Sequence, residues 1–114
     1  MADHLEALQN VVQDTIDQER LGQPQFIRCI ARTIDDESLE STLNQLTFMG
    51  ESWFGGPPIK RTRQGIESGF YVTEIQTWDT GQSALITVST TISKGDSAVD
   101  LMLIGSRGTL YHQG

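Results

Sequence analysis

The chain is 114 residues long, enough for one domain with its own apolar core and no need of a metal or disulfide staple. Hydrophobic residues make up 37% and charged residues 20%, a globular balance rather than a disordered one. A net charge of −7 argues against general affinity for nucleic acid or an anionic membrane, since phosphate recognition needs a basic footprint.

Cys29 stands alone, so no disulfide forms within the chain. Residues 1–19 are rich in acids and amides, where a secretory leader would carry a basic start and an apolar run. No stretch approaches about 18 continuous apolar residues, the length a membrane-spanning helix needs. These features lead to the expectation of a cytoplasmic protein.

A first helix opens near Asp3 and Glu6, which have capping-box spacing with Asp in place of Ser or Thr. Leu5, Leu8, Val12 and Ile16 form its narrow apolar stripe, and Gly22 with Pro24 ends it. That stripe suits packing either on the chain's own sheet or on another subunit. Phe26 to Thr33 reads as a strand, short and rich in β-formers. A second helix follows from about Asp36 to Trp53, capped by Asp36 or Ser38, with Leu39, Leu43, Leu46, Met49 and Trp53 on one face. Gly55, Gly56, Pro57 and Pro58 stop it, because proline cannot continue a helical ladder.

From Ile59 the period becomes alternating. Ile59 to Gln64 is an expected edge strand, Phe70 to Trp78 a long strand, and Asp79-Thr80-Gly81 a hairpin turn. Ser83 to Ile92 returns, Lys94-Gly95-Asp96 turns again, and Ala98 to Ile104 and Thr109 to His112 complete an expected antiparallel meander over 59–114. The fold class is therefore α+β. Two helices, one in 1–22 and one in 23–58, cover one face of a mostly antiparallel open sheet of about five or six strands. Ser83 to Thr91 presents a small, hydroxylated outer side suited to sheet-on-sheet contact, so the uncovered face is expected to pair with a second copy.

Three local patterns carry a family resemblance. They are the helix exit Trp53-Phe54-Gly55-Gly56-Pro57-Pro58, the run Trp78-Asp79-Thr80-Gly81-Gln82-Ser83-Ala84, and Ile104-Gly105-Ser106-Arg107-Gly108-Thr109-Leu110. In their order and spacing they resemble the substrate and oligomerisation domain, the C-terminal domain, of the Gfo/Idh/MocA oxidoreductases. The resemblance covers roughly Leu39 to Tyr111. It implies an open sheet used for dimer or tetramer contact.

It also implies what to look for and not find. The family holds a nicotinamide cofactor on a Gly-x-Gly-x-x-Gly/Ala turn and uses the Lys of a Glu-Lys-Pro motif. This sequence has neither, and Gly55-Gly56 and Gly105 with Gly108 do not sit between a parallel strand and a helix. The family's helical Asp and His, four residues apart, fall here on Ser41 and Gln45, which do not titrate near neutrality. No catalytic residue, metal or cofactor is therefore assigned.

The remaining chemistry admits paired readings. His4 and His112 lack ligand spacing and read as surface histidines rather than a functional pair. Cys29, among apolar neighbours, reads as a buried thiol rather than a nucleophile. Asp35, Asp36, Glu37 and Glu40 suit the start of the second helix better than a cation loop. Lys60, Arg61 and Arg63 guard an edge strand or, with Arg107, bind a phosphate or carboxylate. Trp53, Phe54, Phe70, Tyr71 and Trp78 serve core or interface packing, or line a ligand pocket. Arg61, Arg63, Trp78 and Arg107 are thus the candidate ligand or interface residues. The expected function is a non-catalytic interaction or regulatory module that self-associates through its sheet and has room for a protein partner. A small-ligand binder, or a substrate domain acting in trans with a separate nucleotide-binding protein, is the alternative.

Overall fold

The computed structural model describes residues 2–34, 39–65, 71–91 and 98–113, and only the backbone of residues 2–5, 34 and 91. Two helices and six strands follow in the order α1 (Ala2–Asp17), β1 (Pro24–Ile34), α2 (Leu39–Phe54), β2 (Lys60–Gly65), β3 (Tyr71–Thr77), β4 (Ser83–Thr91), β5 (Ala98–Gly105) and β6 (Thr109–Gln113). The strands form one sheet in the order β2-β3-β4-β1-β5-β6. Every neighbouring pair is antiparallel except β1 with β4, which run parallel. This is the expected α+β class.

One sequence expectation needs correction. Residues 59–114 do not form an uninterrupted meander, because β1 lies between β4 and β5. The reason is burial. Ile27, Cys29 and Ala31 of β1 are among the most deeply buried side chains, so this strand belongs at the centre of the sheet rather than beside it. Short turns and local alternation report pairing between neighbours in sequence, and an inserted strand leaves no local mark. The Lys94-Gly95-Asp96 turn, the Asp36 or Ser38 cap and Phe70 lie outside the described residues. Asp3 lies inside the first turn of α1 rather than ahead of it.

Both helices pack on the same face. Leu8 and Val12 of α1 are fully buried, and Ile16 packs against them, so the stripe of α1 closes on its own sheet, over β5. Leu43, Leu46, Met49 and Trp53 of α2 are buried over β4 and β1, with Leu39 partly covered. From below, the strands send up Ile27, Cys29, Ala31, Ala84, Ile86, Val88, Val99, Leu101 and Leu103. Alternation at period two is what puts these residues on one side.

Two glycines close the frame. Gly55, at φ +89°, ends α2 in the left-handed region, and both its amide and that of Gly56 donate to the Glu51 carbonyl at 2.9 Å. At Gly105 a β-carbon would stand 2.1 Å from the Leu21 carbonyl oxygen, so the chain leaving α1 can lie directly on the β5–β6 turn. The Ser106 and Arg107 amides bond the Gln23 and Leu21 carbonyls there. No helix of the described residues is long and apolar enough to cross a membrane.

Candidate functional site

Two regions carry unusual chemistry. The first lies at the β2 edge, on the helix-covered face. Glu74 is centred in β3 with Val72, Gln76 and Trp78 on the same side, and only 1% of its side chain is exposed. A buried carboxylate is costly unless paired and hydrogen-bonded. Here both conditions hold. Arg61 Nε bonds Glu74 Oε1, while Arg63 Nε and Nη2 bond Glu74 Oε2 at 3.1 and 3.0 Å. The β2–β3 register sets this up by placing Arg63 opposite Glu74 and Arg61 opposite Gln76.

Gln76 Nε2 donates to Glu74 Oε1 at 2.8 Å and to Thr47 Oγ1 of α2 at 2.9 Å. Arg63 Nη1 reaches across to Glu40 Oε2 at 2.8 Å. The cluster thus ties the edge strand to both β3 and α2. Burial pushes the Glu74 carboxyl up, yet the bonds from Arg61, Gln76 and Arg63 outweigh it and hold the group below its ordinary value. The Glu40 bond raises Arg63, partly opposed by burial and reinforced by Glu74.

The candidate residues from sequence separate. Arg61 and Arg63 converge on one carboxylate. Trp78 lies two residues beyond Gln76 but is 5% exposed, donating Nε1–H to the Gly56 carbonyl at 2.7 Å. Its ring meets Phe54 edge-on, centroids 4.6 Å apart. Arg107 sits in the β5–β6 turn, across the sheet from β2. Hollows of about 210 and 220 Å³ lie beside Arg20, Leu21 and Leu110, and beside Pro24, Phe54 and Gln82; neither is lined by any of the four. Glu74, Gln76 and Thr47 were not singled out from sequence. The signal was present, since Val72, Glu74, Gln76 and Trp78 alternate, and two clearly apolar members mark their side as the covered one.

The second region is the opposite face of the sheet, which no described element covers. Strand register places Tyr111, Met102, Arg28, Leu85, Ile75 and Thr62 in one row across it. The adjacent row runs Gln113, Asp100, Ile30, Thr87, Thr73 and Gln64. Ile75 is 50% and Tyr111 54% exposed, with Tyr71 and Ile30 also open to solvent. As the alternation of β4 implies, Ser83, Leu85, Thr87 and Ser89 point this way, and Thr73 and Thr87 join by their hydroxyls at 3.0 Å. Large apolar groups are thus interleaved on this face with small hydroxyls.

Cys29 is buried, and loss of solvation with the nearby Asp100 charge pushes its thiol up to about 12, so it is no nucleophile near neutrality. Among the described residues no group of His, Cys, Asp and Glu is arranged to hold a metal. Ser41 and Gln45 lie on the exposed side of α2.

No family model matches the sequence, and no curated protein is similar to it in sequence. Solved structures are similar in fold. The chain matches UDP-N-acetylglucosamine 3-dehydrogenase of Acidithiobacillus ferrooxidans with a TM-score of 0.78 and 12% identity, over 96% of this chain and 39% of that one. Its fold has the form of a dehydrogenase C-terminal domain. Myo-inositol 2-dehydrogenase of Lactobacillus plantarum matches at 0.72 and 11%, over 91% and 38%. Scyllo-inositol dehydrogenase of Lactobacillus casei, solved with NAD(H) and scyllo-inositol, matches at 0.69 and 13%, over 96% and 40%. The Gfo/Idh/MocA resemblance therefore holds at the level of fold and extends beyond Leu39–Tyr111 to nearly the whole chain. The chain spans about two fifths of the length of these dehydrogenases.

Proposed function

We propose that this protein is a non-catalytic interaction module that self-associates by stacking its open sheet face on that of a second copy. The exposed apolar row through Ile75, Leu85, Met102 and Tyr111 carries the reading. Six strands about 4.8 Å apart and about seven residues long present roughly 650 Å². That approaches the roughly 800 Å² per partner of a standard interface. Arg28 on β1 and Asp100 on β5 bring both signs of charge to the same face, which lets a two-fold contact match opposite charges. Supporting the absence of catalysis, Ser41 and Gln45 stand where the resemblance would put an acid/base pair, and neither moves a proton near pH 7.

Sedimentation of the purified protein with and without NAD(H) tests this reading. The expected result is an assembly of at least two copies, indifferent to cofactor, whose mass Ile75→Glu halves with unchanged circular dichroism. A monomeric parent protein, or a mass that shifts with nucleotide, overturns it.

A second reading has its own support. The match covers about two fifths of each dehydrogenase, and Phe48, 66% exposed, gives the outer side of α2 an apolar spot near Gln45. On this reading the chain is a substrate domain, and a nucleotide-binding unit supplied separately docks on α2. Gain of NAD⁺ reduction coupled to oxidation of a polyol such as an inositol, only when such a unit is added, would select it.

A further inference from the structure

The two edges of the sheet are built differently. β2 carries Lys60, Arg61 and Arg63, charges that discourage pairing with another chain. β6 has the sequence Thr-Leu-Tyr-His-Gln, with neither an acid, a Lys or Arg, nor a proline. The β5–β6 turn fixes which backbone groups this edge leaves free. The Gly105 amide donates to the Gly108 carbonyl at 2.8 Å, and bonded and non-bonded pairs alternate along an antiparallel ladder. Stepping along the register, Leu103 with Leu110 and Leu101 with His112 are the bonded pairs. The N–H and C=O groups of Thr109, Tyr111 and Gln113 therefore point away from β5, and among the described residues none bonds to them.

We propose that β6 is a second self-association site, at which another copy of this chain adds its own β6 antiparallel and joins two six-stranded sheets into one. The strand is self-complementary in this arrangement. With Tyr111 opposite the partner's Tyr111, Thr109 faces the partner's Gln113 and Leu110 faces the partner's His112. Every outward backbone group finds a partner and no like charges meet. Neutrality matters at this edge because a chain of net charge −7 repels its copy over most of its surface. This contact is distinct from the stacking of open faces. It leaves both faces on the same side of the joined sheet, so the two contacts coexist.

Oxidation of Tyr111→Cys in the full chain separates them. Opposed residues of a bonded antiparallel pair have Cα atoms about 5.5 Å apart, within disulfide range, whereas stacked sheets lie about 10 Å apart, beyond it. Cys29 is buried and does not compete. The expected result is a covalent dimer on a non-reducing gel. Adding Thr109→Pro removes an outward amide without touching the β5 ladder, and should lower the covalent dimer about tenfold through two lost backbone bonds per pair. Thr62→Cys, on the guarded β2 edge, should stay uncrosslinked. A folded Tyr111→Cys protein that forms no covalent dimer overturns the proposal. Equal crosslinking with Thr109→Pro, or equal crosslinking of Thr62→Cys, overturns it too.

Discussion

The two faces of this sheet are made from the same strands, yet they are composed and covered differently. On the covered face Ile86, Leu101 and Leu103 are at most 2% exposed, and a charged residue is present only because arginines hold it. On the open face, one residue along the same strands, Ile75 is half exposed and Leu85 and Met102 are only partly covered. The covered face is the more apolar and the two helices close it, whereas the open face interleaves apolar groups with hydroxyls, amides and charges. What the covered face spends its side chains on is stability, and what remains on the open face is available for association.

The sharpest way to break this contrast is on neighbouring residues of β5. Leu101→Ala should cost about 3 kcal/mol, since it removes methyl groups from a closed core and leaves a cavity. Met102→Ala, whose side chain lies on the open face, should cost about 1 kcal/mol in the monomer, where water already reaches the site. Urea denaturation measures both. Equal losses would mean the open face is part of the folding core.

Much of this architecture was legible from sequence, and the failures have physical causes. Leu8, Val12, Leu43, Leu46, Met49 and Trp53 recur at helical intervals because each helix has one side to bury, so both stripes were readable. The Gly-Gly-Pro-Pro stop and the Asp79-Thr80-Gly81 turn are local devices and also showed. The central place of β1 did not, because parallel pairing with β4 joins Phe26 to Ser83, far apart in the chain. The Glu74 cluster was missed for a related reason. Arg61 and Arg63 read from sequence as guards of an edge or as an anion site, and only the β2–β3 register shows that, while still partly exposed, their side of the strand turns toward a buried carboxylate. The four candidate ligand residues combine three arginines as an anion patch with one aromatic as a pocket wall, whereas the fold sends Arg107 to the far side of the sheet from Arg61.

Glu74 offers the next smaller effect and a pH signature. Glu74→Gln should cost about 1–2 kcal/mol at neutral pH, discounted because both arginines are some two fifths exposed and retain water. The carboxyl is held below its ordinary value in the folded protein, so its contribution is complete above the unfolded value, near pH 4.3, and is lost as pH falls through the lower folded value. The gap between parent and variant should therefore be constant from pH 5 to 7 and close in acid. A gap that persists undiminished at pH 2 would show that the amide disturbs packing rather than charge.

The smallest expected change completes the contrast from the open side. Thr73→Val replaces the hydroxyl that meets Thr87 with a methyl of the same shape, on strands whose ladder bonds are untouched. A partly exposed hydroxyl pair exchanges its partner for water at little net cost, and valine favours a strand slightly more than threonine. Monomer stability should move by no more than about 0.5 kcal/mol. Association should strengthen, since the change enlarges the apolar patch that two copies share on stacking. A stability loss above about 1.5 kcal/mol would make the Thr73–Thr87 pair part of what holds β3 to β4. In that case the open face would be tuned for the fold first, and its fitness for a second copy would be secondary.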